Sequence, residues 1–488
     1  MNHREPDTLR RQIGHPVIDG DGHMLECEPI LMDYVRQFAG VKGLESCQKM
    51  SERGFFRWYK LSPQERQRQR VIRPVWGLDV QNTHDFTTTM LPGKLHERMD
   101  EAVLDFAIVY PTLGFGFARI PDPELRRNIC RAINHYSADQ FRPYADRLTP
   151  AAIIPTQTPA EGIEELEYAV KTLGLKAAVI DAVNIRPLVL AEGLDRTLPP
   201  EVLARLTWLD CYGLDSAHDY DPLWAKFVEL KVAPTAHQAG HWGTRTSPSN
   251  YVHNHLGLFA AAGEAMCKSI FLAGVTHRFP TLRFGFLEGG VGWACSLFSD
   301  LVEHWKKRNR TRLARFDPTQ LDRAHLRAEV LKYTQRDVGS NLEQEFKNLF
   351  LVAGGAHSAE VELDEWARSG IEKKEDLRDQ FVPNFFFGCE GDDRTASWAF
   401  DERVNPFRAR LGAFYGSDIG HWDVENISEV VSEAYENVEH GLLPRPDFRD
   451  FMFANAVRLH GGMNPDFFKG TKVEAEARQV LALPGRAG

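Results

Sequence analysis

Short apolar runs rich in β-branched and aromatic residues alternate along this chain with longer stretches in which apolar residues recur every three to four positions. The short runs predict strands, and the longer stretches predict helices. Each short run ends in polar residues or turn formers, as strands of a sheet do. The eight predicted strands are residues 15–19, 105–111, 148–155, 175–180, 231–237, 282–288, 384–390 and 412–418.

Eight strands that alternate with helices predict a parallel sheet closed into a (β/α)8 TIM barrel, with an open parallel sheet as the alternative. Such a barrel commonly takes about 250 residues, whereas this chain has 488. We therefore predict one barrel domain over residues 1–488 with large helical insertions over its C-terminal face. These insertions lie at about residues 40–95, 183–222 and 300–380. Because barrel active sites lie at that face, we expect the insertions to wall a deep pocket.

The composition narrows the class of protein and of partner. The 58 basic and 68 acidic residues give a formal net charge of −10, which argues against a nucleic-acid partner and favours a small-molecule substrate. No apolar run is long enough to predict a membrane span, and the first residues lack the apolar core of a signal peptide, so we expect a cytoplasmic protein. The seven cysteines are scattered and never spaced as C-x-x-C, which argues against a disulfide framework or a thiolate zinc site.

The densest chemical motif is V-I-D-G-D-G-H at residues 17–23. Alternate residues of an extended chain share a face, so Asp19, Asp21 and His23 can point the same way. A carboxylate and an imidazole two residues apart make a good half-site for a divalent ion. The alternative is an acidic turn that caps a helix.

Two further motifs place polar residues at the ends of predicted strands. His237 ends the run P-T-A-H, and Asp418 ends the run F-Y-G-S-D. His237 could instead be a structural hydrogen-bonding group, and Asp418 could cap the next helix. Helix character begins only around Asn426, too far along the chain for a simple cap, so we favour a metal ligand or general base at Asp418. His421, three residues later, is expected near the substrate.

Glu288 ends the buried run R-F-G-F-L-E and precedes two glycines. A buried, unpaired charge costs several kcal/mol, so this carboxylate needs a cation, a proton or hydrogen-bond donors nearby. A salt bridge to a local arginine is the alternative. His255, in Y-V-H-N-H, is a weaker catalytic candidate, and Trp293 is expected to contact a bulky, partly apolar substrate.

Taken together, V-I-D-G-D-G-H, P-T-A-H, H-R-F-P-T-L-R-F-G-F-L-E-G-G and Y-G-S-D-I-G-H resemble motifs of the amidohydrolase-related (amidohydrolase 2) family. That family includes aminocarboxymuconate semialdehyde decarboxylase and the resorcylate-type decarboxylases. The resemblance implies a catalytic metal held by Asp21, His23, His237 and Asp418, and by analogy a homodimer. The sequence departs from the family pattern at two positions. Asp21 stands where relatives usually carry His or Glu, and Glu288 stands where the decarboxylases carry a strand-six histidine.

These residues predict a metal-dependent hydrolase with a zinc, iron or manganese ion. Asp418 would accept the proton of a metal-bound water, and Glu288 or His255 would protonate the leaving group of an amide, ester, thioester or activated C–C bond. Non-oxidative decarboxylation is the alternative, and a non-catalytic binding protein is the third. Three carboxylates and two neutral histidines around one divalent ion leave a net negative charge. Either Glu288 is therefore protonated and acts as a general acid, or it is a ligand of a binuclear centre.

Overall fold

The computed structural model describes residues 4–53, 57–74, 81–190, 197–203, 206–237, 246–313, 315, 320–339, 341–345 and 364–483. In these ranges the strands are β1 (Ile18–Met24), β2 (Phe106–Pro111), β3 (Leu148–Ile153), β4 (Ala177–Asp181), β5 (Asn184–Pro187), β6 (Thr207–Asp210), β7 (Pro234–His237), β8 (Phe284–Phe286), β9 (Phe385–Cys389) and β10 (Gly412–Tyr415).

Eight of these strands form one parallel sheet in the order β1-β2-β3-β4-β7-β8-β9-β10, and β5 pairs with β6 as an antiparallel hairpin. The two ends of the large sheet meet. The His23 amide donates to the Ile419 carbonyl at 2.6 Å, and the Asp418 amide donates to the Asp21 carbonyl at 3.1 Å. The sheet is therefore a nearly closed barrel surrounded by helices, and the predicted (β/α)8 TIM barrel is confirmed.

All eight predicted apolar runs are strands of the barrel. Their ends differ from the prediction mainly at β1, which was expected over residues 15–19 but extends from Ile18 to Met24. The D-G-D-G-H segment therefore lies inside the strand. Its pairing with β2 shifts register between Asp19 and Gly22, as a β-bulge does.

Helices connect the strands and form the outer layer. Before β3 they are Pro6–Ile13, Glu28–Arg53 (interrupted at Gly40), Arg57–Lys60, Pro63–Gln69, Thr83–Met90, Pro92–Arg98, Leu113–Phe117, Pro123–Phe141 and the 3-10 turn Arg142–Tyr144. Between β3 and β8 they are Pro159–Lys171, Pro200–Leu203, Asp221–Leu230, Tyr251–His255, Leu258–Leu272 and Val275–Arg278.

After β8 the helices are Gly292–Arg308, Arg310–Leu313, Arg323–Thr334, Leu342–Glu345 and Lys374–Phe381, with the 3-10 turns Ala367–Ser369, Arg394–Ala399 and Pro406–Arg408. After β10 they are the 3-10 turn Ile427–Glu429, then Val430–Glu439, Arg445–Arg449, the π-helical turn Asp450–Ala454, Asn455–Met463 and Glu474–Ala482. None of the described helices has the length and apolar character that crossing a membrane requires.

The barrel strands are buried on both faces because helices cover them from outside and side chains fill the interior. Helix Asp221–Leu230, for example, places the fully buried Trp224 edge-on against Phe284 of β8, with ring centroids 5.3 Å apart. Burial of such large rings is the main source of stability in a core of this kind.

The first two predicted insertions lie at the C-terminal ends of the strands. Within the first, Trp58 donates to the Pro248 carbonyl at 2.6 Å and Arg70 donates to the Thr246 carbonyl at 2.9 Å, which joins it to the segment that follows β7. The second contains the β5–β6 hairpin, and the Tyr212 hydroxyl donates to the carbonyl of Asp181, the last residue of β4, at 2.6 Å. Part of the third insertion, residues 346–363, lies outside the described residues.

Glu26 ties the end of β1 to the segment after β2. Its side chain is buried and accepts the backbone N–H groups of Leu113 at 2.8 Å and Gly114 at 2.9 Å. Burial nevertheless raises the pKa of Glu26 to about 7, because desolvation of the charge outweighs these two hydrogen bonds.

This raised pKa predicts a pH-dependent stability. The folded protein binds the Glu26 proton more tightly than the unfolded chain, so this contribution is present at low pH and is lost as pH rises through about 7. A Glu26→Gln variant lacks the titration. Its melting temperature is expected to rise relative to the unmodified protein between pH 5 and pH 8, corresponding to at most about 3 kcal/mol. Thermal melts of both proteins across this range test it. Glu28→Gln, an exposed site nearby, is the control, and parallel curves for Glu26→Gln would contradict the prediction.

Candidate metal centre

The end of β1 supplies Asp21 and His23 to the C-terminal mouth of the barrel. The β-bulge and the two backbone hydrogen bonds to the segment after β10 hold this part of β1 beside Asp418. The His23 Nε2 atom lies 3.5 Å from Asp21 Oδ1 and 3.5 Å from Asp418 Oδ1. Side chains that are almost 400 positions apart in the sequence thus lie next to one another at the mouth of the barrel.

The side chain of Asp19 does not join those of Asp21 and His23 in this cluster. Its carboxylate accepts the Ser417 hydroxyl at 2.6 Å, the Ser417 amide at 2.9 Å and the Asp21 amide at 3.1 Å. The β-bulge breaks the strict alternation of side chains that would place all three on one face. Burial raises the pKa of Asp19 to about 6, and its role here is to hold β1 against the segment after β10.

His237 is the last residue of β7, and its side chain lies beside that of His23 at the mouth of the barrel. Its ring lies perpendicular to that of His23, with centroids 5.1 Å apart, and stacks on Phe115 at 4.5 Å. These two ring contacts restrict the orientation of the imidazole. Its Nε2 atom lies 2.9 Å from Glu288 Oε2.

Glu288 and Asp418 both adopt left-handed backbone conformations, with φ of 56° and 53°. Such conformations are uncommon for residues other than glycine and concentrate at functional sites. Each residue lies just past the end of its strand, where this turn directs the carboxylate into the mouth. The helical structure after β10 starts at Ile427 and is capped by Asn426, so Asp418 is not a helix cap.

His421 and His255 complete the ring of polar groups. His421 Nδ1 lies 2.6 Å from Asp418 Oδ1 and 4.0 Å from Glu288 Oε2, and its ring stacks on that of His23 at 3.9 Å. His255 Nε2 lies 3.9 Å from Glu288 Oε1, on a side chain that is 23% exposed. His255 is thus at the outer edge of the cluster, open to incoming molecules.

Among the described residues, two overlapping sets of side chains bring their ligand atoms within 4.8 Å of one another. One set is Asp21, His23 and His237, and the other is His23, Glu288, Asp418 and His421. All five residues predicted as metal ligands therefore belong to one cluster, and His421 is an additional member of it.

The chemistry of this cluster fits a divalent cation. Asp21 Oδ1 and both ring nitrogens of His23 are buried and make no hydrogen bond within the described part of the chain. Burial raises the pKa of Asp21 and of Asp418 well above the usual range, and Glu288 adds to both shifts. Burial also lowers the pKa of His23 well below its usual range, which leaves a neutral imidazole. A cation between these groups would relieve the desolvated carboxylates and satisfy the unpaired atoms.

Glu288 titrates in the opposite direction from the one that a neutral general acid requires. Burial would raise its pKa, but the hydrogen bond with His237 and the imidazoles of His237, His421 and His255 outweigh burial and lower it. The carboxyl groups of this cluster whose pKa is raised are Asp21 and Asp418 instead. The expectation of a protonated Glu288 did not include the three histidines that surround this carboxylate in the fold.

Trp293, predicted to contact the substrate, is half-buried and packs against the core. It is on the second position of helix Gly292–Arg308, and its ring packs edge-on against Phe286 at 5.6 Å and Phe387 at 5.2 Å. Among the described residues it does not line the cavity at the barrel mouth. Trp422 takes that position, with its Nε1 donating to the Tyr251 hydroxyl at 3.2 Å.

That cavity has a volume of about 330 Å³ and opens beside Glu288. Its wall includes Trp422, Phe259, His255, Glu390 and Asp423. Burial and the nearby Glu288 raise the pKa of Glu390 to about 9. The sequence analysis did not select Glu390, Asp423 or Trp422. Glu390 ends a predicted strand as Glu288 does, so the same strand-end argument would have found it.

Comparisons with known proteins bear on this site. The family model described as amidohydrolase matches residues 80–335, which is more than half of the chain. This chain belongs to the amidohydrolase family. The match confirms the resemblance seen in the motifs, and it makes this amidohydrolase a metal-dependent enzyme. Among proteins with curated descriptions, no relative matches.

The fold of this amidohydrolase is similar to that of several solved structures. A 5-carboxyvanillate decarboxylase from Novosphingobium aromaticivorans, complexed with manganese and 4-hydroxy-3-methoxy-5-nitrobenzoic acid, matches with a TM-score of 0.50 and 14% identity, over 92% of this chain and 97% of that one. A dihydroxybenzoic acid decarboxylase from Polaromonas sp. JS666, with manganese and 2-nitroresorcinol, matches at 0.47 and 16%, over 91% and 97%. An amidohydrolase from Mycobacterium avium subsp. paratuberculosis matches at 0.47 and 18%, over 78% and 76%.

Proposed function

We propose that this amidohydrolase is a metal-dependent, non-oxidative decarboxylase of an aromatic carboxylic acid. The observation that carries the proposal is the convergence of two imidazoles and two aspartates at the barrel mouth, where a third imidazole, that of His421, lies 2.6 Å from one of these aspartates, Asp418. The likeness in fold to a carboxyvanillate decarboxylase that binds manganese supports it. This choice differs from the hydrolase expected first from the sequence.

The proposed reaction needs one proton and no oxidant. The bond between the ring carbon and the carboxyl group breaks, its electron pair stays on the ring carbon, CO2 leaves, and the ring carbon takes a proton. Asp21, His23, His237 and Asp418 would hold the metal, which when bound would supply Lewis acidity toward the substrate's oxygens. His421 and Asp418, 2.6 Å apart, hold the proton next to the site. Trp422 and Phe259 give the aromatic ring apolar surfaces to pack on.

Hydrolysis is the second candidate, and Glu288 is the observation that favours it. A carboxylate stands at the end of β8 with an ion-pair distance of 2.9 Å to His237. An ionised carboxylate in this position can accept a proton from water, as a hydrolytic mechanism requires. Glu288 would then act as general base, and Asp418 as ligand.

One experiment separates the two candidates. The protein loaded with manganese or zinc is incubated with 2,6-dihydroxybenzoate and 5-carboxyvanillate while CO2 is measured, and in parallel with aryl esters and N-acyl amides while acid release is measured. Decarboxylation predicts CO2 from the aromatic acids and, in D2O, enzyme-dependent deuterium exchange into the ring of resorcinol. Ester or amide hydrolysis without either signal would instead support the second candidate and overturn the first.

Glu288→Gln tests how many metal ions the site holds. Glu288 belongs to the set that contains His23, Asp418 and His421 but not to the set that contains Asp21 and His237. If the centre holds one ion on the predicted ligands, elemental analysis is expected to find about one equivalent in both proteins. A fall from two equivalents to one in Glu288→Gln would show that Glu288 binds a second ion. Glu264→Gln, at a surface carboxylate paired with Lys268, is the control.

A further inference from the structure

A second cavity lies at the opposite end of the barrel from the metal centre. It has a volume of about 700 Å³ and is bounded by the N-terminal ends of β8, β9 and β10. Arg283 immediately precedes β8, Phe386 lies near the start of β9, and Gly412 begins β10. The same three strands lead to the C-terminal face, where Glu288 and Asp418 follow β8 and β10.

The cavity wall is basic in a protein whose net charge is −10. Four arginines and two aspartates line it: Arg283, Arg378, Arg410, Arg458, Asp379 and Asp450. Three of the arginines have carboxylate partners. Arg378 pairs with Asp379 at 2.7 Å, Arg410 with Asp447 at 2.6 Å, and Arg458 with Asp450 at 3.2 Å.

Arg283 differs from these three. Its guanidinium donates to the Arg458 backbone carbonyl, and it has no carboxylate partner within the described part of the chain. It lies directly against Gly462, where a Cβ atom would overlap it. Burial and the charge of Arg458 lower its pKa. The Phe386 ring lies 5.9 Å from the guanidinium carbon and offsets part of this charge. A guanidinium does not lose its proton in proteins, so an anion in the cavity would offset the rest.

Most of the rest of the wall is apolar. Phe386, Phe400, Leu411, Val480 and Leu481 line the cavity together with the arginines. An inorganic anion would leave these surfaces in contact with water, whereas an organic anion would cover them. A guanidinium presents its donors in a fork that matches a carboxylate.

We propose that this cavity binds a monocarboxylate with an apolar body, its carboxylate on Arg283 and its apolar part against Phe386, Leu411 and Leu481. The site is separate from the metal centre, and its occupancy does not depend on the reaction that the enzyme catalyses. Arg458 and Arg410, already paired, add to the positive potential without being the direct partner.

Isothermal titration of the metal-loaded, full-length protein with octanoate tests the proposal. We expect one binding event that weakens about tenfold or more in Arg283→Gln, because a charge-assisted hydrogen bond is lost. Leu481→Trp, which fills the cavity without changing its charge, is expected to abolish the same event. Acetate is expected to bind far more weakly than octanoate, because it covers little apolar surface.

The matched control is Arg378→Gln, which removes an arginine of the same wall that already has a carboxylate partner. Its affinity for octanoate is expected to stay within about threefold of the unmodified protein. Absence of binding, or equal affinity in all four proteins, would overturn the proposal, since octanoate would then bind nowhere or at the metal. Equal affinities for acetate and octanoate would overturn the proposal that the ligand's apolar part packs against the cavity wall. Thermal melts show whether each variant folds. If Arg283→Gln does not fold, the affinity of Leu481→Trp for octanoate tests the proposal by itself.

Discussion

The His23→Ala variant is expected to lose its divalent metal. His23 is the one member shared by the two sets of converging ligand atoms, and its Nε2 atom lies 3.5 Å from both Asp21 and Asp418. Alanine removes the neutral imidazole and leaves Asp21 and Asp418 without the ring nitrogen that lies 3.5 Å from each of them. Changes to residues that only support metal ligands already cost 10 to 100-fold in affinity, so loss of this ligand should cost about 100-fold or more.

Elemental analysis after dialysis against metal-free buffer measures this effect. About one equivalent of metal is expected in the unmodified protein, and less than about a tenth of that in His23→Ala. A rise in melting temperature on adding manganese or zinc is expected in the first protein and not in the second. His253→Ala, at an exposed histidine of the helix that carries His255, should behave as the unmodified protein. Full metal content in His23→Ala would remove the basis for this metal centre.

Asp418→Asn is expected to reduce turnover by about a thousandfold or more when metal is saturating, a loss in the range of general acid–base catalysis. Asn has the same shape as Asp and tolerates a φ of 53° better than most residues, so the backbone should be retained. It cannot hold or release the proton that Asp418 shares with His421 across 2.6 Å. The lost step is therefore proton transfer, and deuterium exchange into resorcinol should fall together with CO2 release.

Asp215→Asn is a matched control because Asp215 is an exposed aspartate with the same φ of 53°. Both variants undergo the same chemical change in the same backbone conformation, so a difference in turnover isolates the location of Asp418. Metal content is measured alongside, because Asp418 is also a proposed ligand. Turnover within tenfold of the unmodified protein, with metal bound, would show that Asp418 does not transfer the proton.

The predicted strands form the barrel, and the predicted ligand residues lie together, for the same reason. Apolar runs such as F-A-I-V-Y-P and F-F-F-G-C are strands because parallel strands are buried on both faces. The C-terminal ends of such strands meet at one mouth, so polar residues at those ends, such as His237 and Asp418, were expected to lie together. Glu390 was not predicted as a site residue, although it ends a predicted strand in the same way.

The packing of Trp293 could not be predicted from the sequence. The side of a helix that faces the core depends on the residue at which the helix begins, and helix Gly292–Arg308 begins one residue before Trp293. This start turns the ring toward Phe286 and Phe387. Trp422 lies in an irregular segment after β10, where no periodicity marks which side chains point inward.

The sequence by itself determined the barrel and the residue types at its mouth, because apolar periodicity and strand ends are local properties of the chain. Only the tertiary structure decided which groups lie close enough to share a proton or a cation. The 2.6 Å approach of His421 to Asp418, the displacement of Asp19 toward Ser417 and the three imidazoles around Glu288 depend on how the barrel closes between β1 and β10. The same holds for Arg283, which pairs with no carboxylate among the described residues because of packing between segments far apart in sequence.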